Sequence, residues 1–319
     1  MVDEELITAA CLQCQKPAHL QCSRCHGARY CSAACQRAHF GLHKKTCEPQ
    51  TIEILATMEF EEIQRLVSSC SKGGVVRFGP GTFKTSATTR VVDSQRSERL
   101  ADGSLGVGDL ALPLLLLVSK SMTVIGCCTQ SSTGIESETE LLFGIIVNPT
   151  KADDCGRLII RNLTIRAEVE IKDNAFKQIE LFSVRIDASA TRIPGYVIRT
   201  DALDIGNCNG EKGVLLERCE IYGGWDGINN SGRQNRLYIK DCEVRFACCR
   251  GIFSNSHFVI EDSEVSNCGS YGIKDRAGRT MRGNNDIQQG PWDEDNPANS
   301  DAAAYKDMTA KLFGSRQEP

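Results

Sequence analysis

Residues 11–47 read CLQCQKPAHLQCSRCHGARYCSAACQRAHFGLHKKTC, with ligand-type residues spaced Cys11-x2-Cys14, Cys22-x2-Cys25, Cys31-x3-Cys35 and His43-x3-Cys47. Seven cysteines and one histidine therefore form four pairs. Structural zinc closes a tetrahedron with four such ligands, so eight ligands suit two ions. A two-residue gap lets two sulfurs curl around one ion, and a three-residue gap puts both ligands on one face of a helix. Ser32 reads as the N-cap of that helix, and residues 33–45 are rich in Ala, Gln, Lys and Arg, which favour it. By spacing alone His39 is an alternative ligand, midway between Cys35 and His43, while His19 and His26 read as turn or surface histidines. So small a region has almost no core beyond its metals. Zinc binding, worth roughly 10–16 kcal/mol for a structural site, then supplies most of its folding free energy.

This stretch resembles the MYND finger family. Besides the four pairs, the matching residues are Ala28-Arg29-Tyr30 before Cys31, Gln36 after Cys35, and His43-Lys44 before Cys47. The resemblance implies interleaved ligation, with Cys11, Cys14, Cys31 and Cys35 on one ion and Cys22, Cys25, His43 and Cys47 on the other. It also implies a protein-interaction module that takes short proline-containing peptides, with Gln36 and Phe40 at groove positions. Phe40 stands where the family usually carries tryptophan, and its other reading is simple packing within the finger. Four ligands per ion leave no vacant position for water, which argues against zinc catalysis.

Charge argues against nucleic acid as the finger's target. Residues 1–50 carry six Lys and Arg against four Asp and Glu. With seven thiolates and two zinc ions the sum is about −1, a poor attractor of phosphate. The whole chain, at 319 residues and net charge −4, is no more basic. Its first residues, Met1 to Glu5, are acidic and have no apolar leader region, and the longest apolar run, 110–118, is interrupted by Pro113. That run is too short to span a bilayer and reads as a buried strand. Seventeen cysteines could suggest a disulfide scaffold, but the ten beyond the finger are scattered from Cys70 to Cys268. A reducing compartment, cytoplasm or nucleus, is the expectation.

Beyond Cys47 the pattern changes. Residues 51–70 read as an amphipathic helix through Leu55, Met58, Ile63, Leu66, Val67 and Cys70. A Gly73-Gly74 turn, a short strand to Phe78, and Pro80-Gly81-Thr82-Phe83 follow. This succession resembles the N-terminal cap of pectate-lyase-like β-helix proteins. A six-residue pattern, apolar at both ends, then begins at Ile160, Leu181, Leu216, Ile239 and Ile260, in steps of 21, 35, 23 and 21 residues. The long step reads as one turn plus an insertion across 187–213. Gly227-Ile228, Gly251-Ile252 and Gly272-Ile273 follow the last three copies. Stacked coils of three short strands explain such a period, because no single coil buries its apolar face alone. Cys219, Cys242 and Ser263 hold equivalent places, read as an inward ladder of small side chains.

The expected architecture is a small two-zinc α+β finger over 1–50, a linker and capping helix over 51–70, an all-β right-handed parallel β-helix over 71–289, and a polar tail over 290–319 with a short helix at 301–313. Carboxylate chemistry on the β-helix has candidates in Asp201, Asp204, Asp226 and Asp275, beside Arg250, Lys274 and Arg276. None lies in a catalytic signature, so no catalytic residue is assigned. Trp225-Asp226-Gly227 is a candidate sugar platform or an ordinary turn, and His257 reads as a turn residue. A zinc-binding adaptor, taking a proline-containing peptide on the finger and a second partner on the β-helix, ranks first. An intracellular carbohydrate-binding or carbohydrate-active protein and a nucleic-acid-contacting regulator rank behind it.

Overall fold

A computed structural model describes residues 10–22, 25, 28–85, 115–131, 134–149, 156–172, 176–191, 201–206, 213–233 and 235–289. The tail, the helix expected at 301–313, His26, Pro113 and most of the insertion lie outside these residues. Two sheets, of fifteen and seven strands, dominate the fold. Every pairing within them is parallel. Antiparallel pairing among the described strands is confined to Leu20–Gln21 with Arg29–Tyr30, and Cys128–Ser131 with Gly134–Ser137. Among the described residues there are two α-helices, α1 (Ala33–Thr46) and α2 (Phe60–Ser69).

The parallel strands stack coil on coil in a solenoid-like arrangement. One coil runs through Leu237–Lys240, Glu243–Arg245 and Arg250–Ser254, and the next through Phe258–Glu261, Glu264–Ser266 and Tyr271–Asp275. Register joins Ile160 to Leu181, Leu181 to Leu216, Leu216 to Ile239, and Ile239 to Ile260. These are the starting residues of the sequence pattern. All five are buried in one continuous apolar core that extends from Ile54 to Ile273. The coil continues to Met281 and ends with Asp286–Ile287 against the strand Glu264–Ser266.

Stacking makes each turn repeat. Two residues past each starting position the backbone is left-handed, at Asn162, Ser183, Arg218, Asp241, Asp262 and Gly283, with φ of 58°, 52°, 54°, 50°, 48° and 63°. One residue further, the Cys219 N–H donates to Cys242 Sγ (3.4 Å), and the Cys242 N–H to Ser263 Oγ (3.0 Å). Asn285 Oδ1 closes the series on the Ser263 N–H (3.1 Å). The inward ladder of small side chains therefore satisfies turn amides that the strands leave unpaired. The recurring Gly-Ile pairs have a related cause. A Cβ on Gly227 would stand 2.7 Å from the Gly251 carbonyl oxygen, and one on Gly251 would stand 2.6 Å from that of Gly272.

The helix expected over 51–70 is half the predicted length. Thr51–Ile54 is instead a strand, parallel to Gly74–Phe78. Its alternating Thr-Ile-Glu-Ile suits a half-buried strand, and β-branched residues favour that conformation. Leu55, counted on the helical face, is 55% exposed in the turn before α2. Helix α2 buries Phe60, Ile63 and Val67 over the N-terminal end of the stack. It also seals an edge. Gln64 accepts from the Leu117 N–H (2.8 Å) and donates to the Leu117 carbonyl (3.2 Å), taking the place of a neighbouring strand. Leu117 lies in Leu115–Val118, which is the described part of the apolar run at 110–118. No helix among the described residues is long and apolar enough to cross a membrane.

Gly251→Ala should destabilise the stack by about 1–3 kcal/mol, because the new methyl meets backbone on the next coil. Asp241→Gly, at a left-handed exposed position, should be close to neutral. Urea unfolding followed by the far-UV strand signal separates the two. Equal losses would refute the packing argument.

Candidate functional site

The short strands Leu20–Gln21 and Arg29–Tyr30 bring the two Cys-x2-Cys knuckles beside the start of α1. Ser32 caps that helix, its hydroxyl accepting from the Cys35 N–H at 3.3 Å. The helix carries Cys35 near one end and His43 near the other, one for each of two clusters. Cys11, Cys14, Cys31 and Cys35 form the first, and Cys22, Cys25, His43 and Cys47 form the second, each with ligand atoms within 4.8 Å of one another.

Spacing alone gave eight ligands, and the fold now divides them in the interleaved manner the resemblance implied. Four sulfurs about 2.3 Å from a tetrahedral ion lie about 3.8 Å apart, and a nitrogen at about 2.0 Å lies about 3.5 Å from a sulfur. The Cys14–Cys31, Cys31–Cys35 and Cys35–Cys14 sulfurs are 3.4, 3.5 and 3.7 Å apart. In the second cluster Cys22 and Cys47 are 3.7 Å apart, and Cys25 Sγ lies 3.5 Å from His43 Nε2. Both donor sets fit zinc in size and chemistry.

The thiols of the two clusters are shifted in opposite directions. Desolvation opposes the Cys11 thiolate, but N–H groups around it, from Cys31, Gln13 and Cys14, outweigh that and bring the thiol to about 6. In the second cluster, desolvation and the neighbouring Cys22 and Cys25 sulfurs push Cys47 up to about 11. Sulfurs packed this closely hold protons unless a cation replaces them.

Tyr30 is fully buried between the clusters and forms the finger's own small core with Cys11, Cys22 and Ala28. His39, the alternative ligand, belongs to neither metal cluster. It lies 3.2 Å from the Tyr30 hydroxyl through Nδ1 and stacks on the His43 ring, at 6.2 Å between centroids. His39 thus braces a ligand from outside, a role with no signal in the spacing. Phe40 does not pack the finger: it is 55% exposed, four residues along α1 from the half-buried Gln36.

The solenoid's carboxylates divide. Asp201, Asp204 and Asp226 gather on the outer side of the seven-stranded sheet, while Asp275 turns to Arg279 (2.5 Å). Asp226 is buried, at 1% exposure, and bound in bidentate fashion by Arg250 at 2.8 and 2.5 Å, and Arg250 in turn stacks on Phe253 (3.9 Å). Lys274 lies over the Tyr271 ring (4.3 Å), and Arg276 lies further from Phe253 (5.5 Å). Asp201 accepts from the Asp226 N–H (2.9 Å) and from the Asn229 amide (2.7 Å). Desolvation, reinforced by the charges of Asp226 and Asp204, raises the Asp201 pKa to about 7. Of these carboxylates only Asp204 reaches an open cleft of about 450 Å³, lined also by Glu170, Lys172 and Ser231. Trp225 is half-buried, and its carbonyl accepts from the Cys249 N–H (2.8 Å). His257 Nε2 lies 3.1 Å from the Thr280 hydroxyl.

Compared with known families, residues 11–47 match the MYND finger. No curated protein and no solved structure matches the chain. The finger is a zinc-binding protein-interaction module for two ions.

Cys25→Ser should unfold the finger and leave the solenoid standing, because their apolar clusters are separate. Metal analysis should fall from about two zinc ions per chain, with the far-UV strand signal retained. Simultaneous loss of that signal would mean a single cooperative unit.

A second expectation concerns Asp201. Its folded pKa lies above the ordinary carboxylate value, so the folded state holds a proton that the unfolded state releases. Stability should therefore fall as pH rises from about 4 to about 7. Asp201→Asn should remove that decline and raise stability at pH 8 by about 1–3 kcal/mol. The Asn229 Oδ1, buried and without a hydrogen-bond partner, can accept from the new amide once Asn229 turns over. Urea midpoints at pH 5 and 8 decide the matter, and an unchanged pH slope in the variant would reject it.

Proposed function

We propose that the protein is a non-catalytic adaptor in which the finger holds a proline-containing segment of a partner. The observation that carries this is Phe40, a large aromatic side chain left exposed on α1 one turn from Gln36. Residues four apart lie on the same helix face, so the two can form one shallow groove. An extended proline-rich ligand loses little entropy on docking because its conformation is already restricted.

The larger region is read as a right-handed parallel β-helix of the pectate-lyase-like kind, offering its long side wall to a second partner. The proposed division is finger 1–50, linker and cap 51–70, β-helix 71–289 and tail 290–319, with the strand Thr51–Ile54 of the cap region paired into the first sheet. The chain works in a reducing compartment, cytoplasm or nucleus, where its thiols stay available to zinc.

A carbohydrate reading of the solenoid has one observation in its favour, the open cleft that Asp204 helps to line. Acid–base cleavage needs two carboxyl groups that reach the substrate. Asp226 is buried against Arg250, which leaves the adaptor as the preferred reading.

Titration of proline-containing peptides against labelled, zinc-loaded protein tests the groove. Affinity should be on the order of tens to hundreds of micromolar, or about −5 to −6 kcal/mol. Phe40→Ala should abolish binding without loss of zinc, and Phe40→Trp should bind at least as tightly. A short DNA duplex runs alongside. Duplex binding that falls steeply with salt, with no peptide responding, would put the nucleic-acid reading first.

A further inference from the structure

The two sheets differ at their N-terminal edges. The seven-stranded sheet ends at Leu115–Val118, whose central Leu117 is closed by the Gln64 amide on both its N–H and its carbonyl. The fifteen-stranded sheet ends at Thr51–Ile54, which among the described strands pairs with Gly74–Phe78 alone. Carbonyls of Gln50 and Ile54 accept from Val75 and Gly79 at 2.7 and 2.9 Å. Bonding in a parallel pair alternates along the strand, so Ile52 faces the same neighbour and Thr51 and Glu53 turn their N–H and C=O groups the other way. Both residues are exposed. The strand carries neither proline nor lysine, and its one charge, Glu53, is paired with Arg77 (3.3 Å) on the neighbouring strand.

Unpaired backbone groups at strand spacing specify their own ligand, another extended backbone. Which chain supplies it follows from position. Thr51 is only four residues beyond Cys47, a member of the second zinc cluster, so the edge continues directly from a protein-interaction module. A partner held at the finger brings its flanking residues to this edge at high effective concentration.

We infer that Thr51–Ile54 is a second docking element, to which an extended segment flanking the finger-bound motif of the partner adds as a further strand. The inference rests on the finger taking a peptide of that partner. Main-chain bonds from Thr51 and Glu53 supply the added affinity, and the exposed side chains of the strand set a mild preference for alternating residues in the ligand.

The test uses the full zinc-loaded chain and three labelled peptides. One is a bare proline-containing core, one is the same core with six alternating valine and threonine residues on each side, and one is the flanking sequence alone. The extended peptide should bind about tenfold more tightly than the bare core. Glu53→Pro removes one outward N–H and keeps the bonds to Gly74–Phe78, a substitution that edge strands tolerate. It should cancel the tenfold gain and leave the bare core unaffected, whereas Phe40→Ala should weaken both core-containing peptides. No gain from the extension, or a gain that survives Glu53→Pro, overturns the proposal. Flanking peptide alone, at millimolar concentration, should shift the Thr51 and Glu53 amide resonances of the wild-type chain. Unmoved resonances overturn the proposal whatever the finger binds, while a core that ignores Phe40→Ala counts against the finger groove only.

Discussion

Backbone pairing of coil upon coil is the interaction on which the larger region depends. A coil of some two dozen residues is too thin to bury its own apolar side chains, so each is completed by the next. Pairing in register then imposes the same backbone on equivalent residues. Arg218 and Ser183 are poor candidates for left-handed geometry, which costs about 1–2 kcal/mol per residue for most side chains. They adopt it because coils on either side hold the turn in place. Asn162, Asp241 and Asp262 at the same position tolerate that geometry better, and Gly283 carries no penalty. The series shows tertiary pairing overriding local preference.

The finger is held together differently. Its apolar cluster amounts to Cys11, Cys22, Ala28 and Tyr30 among fully buried residues, and two of these are members of the metal clusters. Tyr30 joins the sites, with both His39 and His43 rings around it. Desolvation, with the nearby cysteine sulfurs, raises the pKa of its hydroxyl above the ordinary tyrosine value. Metal coordination and this single aromatic replace the continuous core that the solenoid has.

The parts of the fold legible in the sequence were those where chemistry repeats at fixed spacing. Ligand pairs gave the two-ion site, and Ser32 gave the start of α1. The apolar starts at Ile160, Leu181, Leu216, Ile239 and Ile260 gave the register itself. Thr51–Ile54 reads as helix in the sequence because Leu55 and Met58, which lie in a turn, extend the helical period of α2 backwards. The Gly-Ile pairs were visible without their cause, since the obstructing carbonyl comes from a neighbouring coil about 21–24 residues away. Gln64 gave no signal, and spacing marked His39 only as an alternative ligand, because the Leu117 and Tyr30 partners are brought close by the fold. The carboxylates near Asp201 could be enumerated but not sorted, since burial against Arg250 is a property of the assembled wall.

The junction between the two regions constrains what an adaptor built this way can do. Only Glu48, Pro49 and Gln50 separate Cys47 from Thr51. Four residue steps reach about 14 Å at full extension. The solenoid end of this segment is fastened twice, because Gln50 accepts from the Ser71 N–H through its side chain (2.8 Å) and from the Val75 N–H through its carbonyl (2.7 Å). At the other end Cys47 contributes to the second zinc cluster. A long flexible linker would let a finger search independently of its neighbour. Here the same few residues answer to zinc on one side and to a sheet edge on the other. A ligand on the finger is therefore presented close to the first strand of the solenoid, which makes metal binding a condition for that geometry as well as for folding the finger.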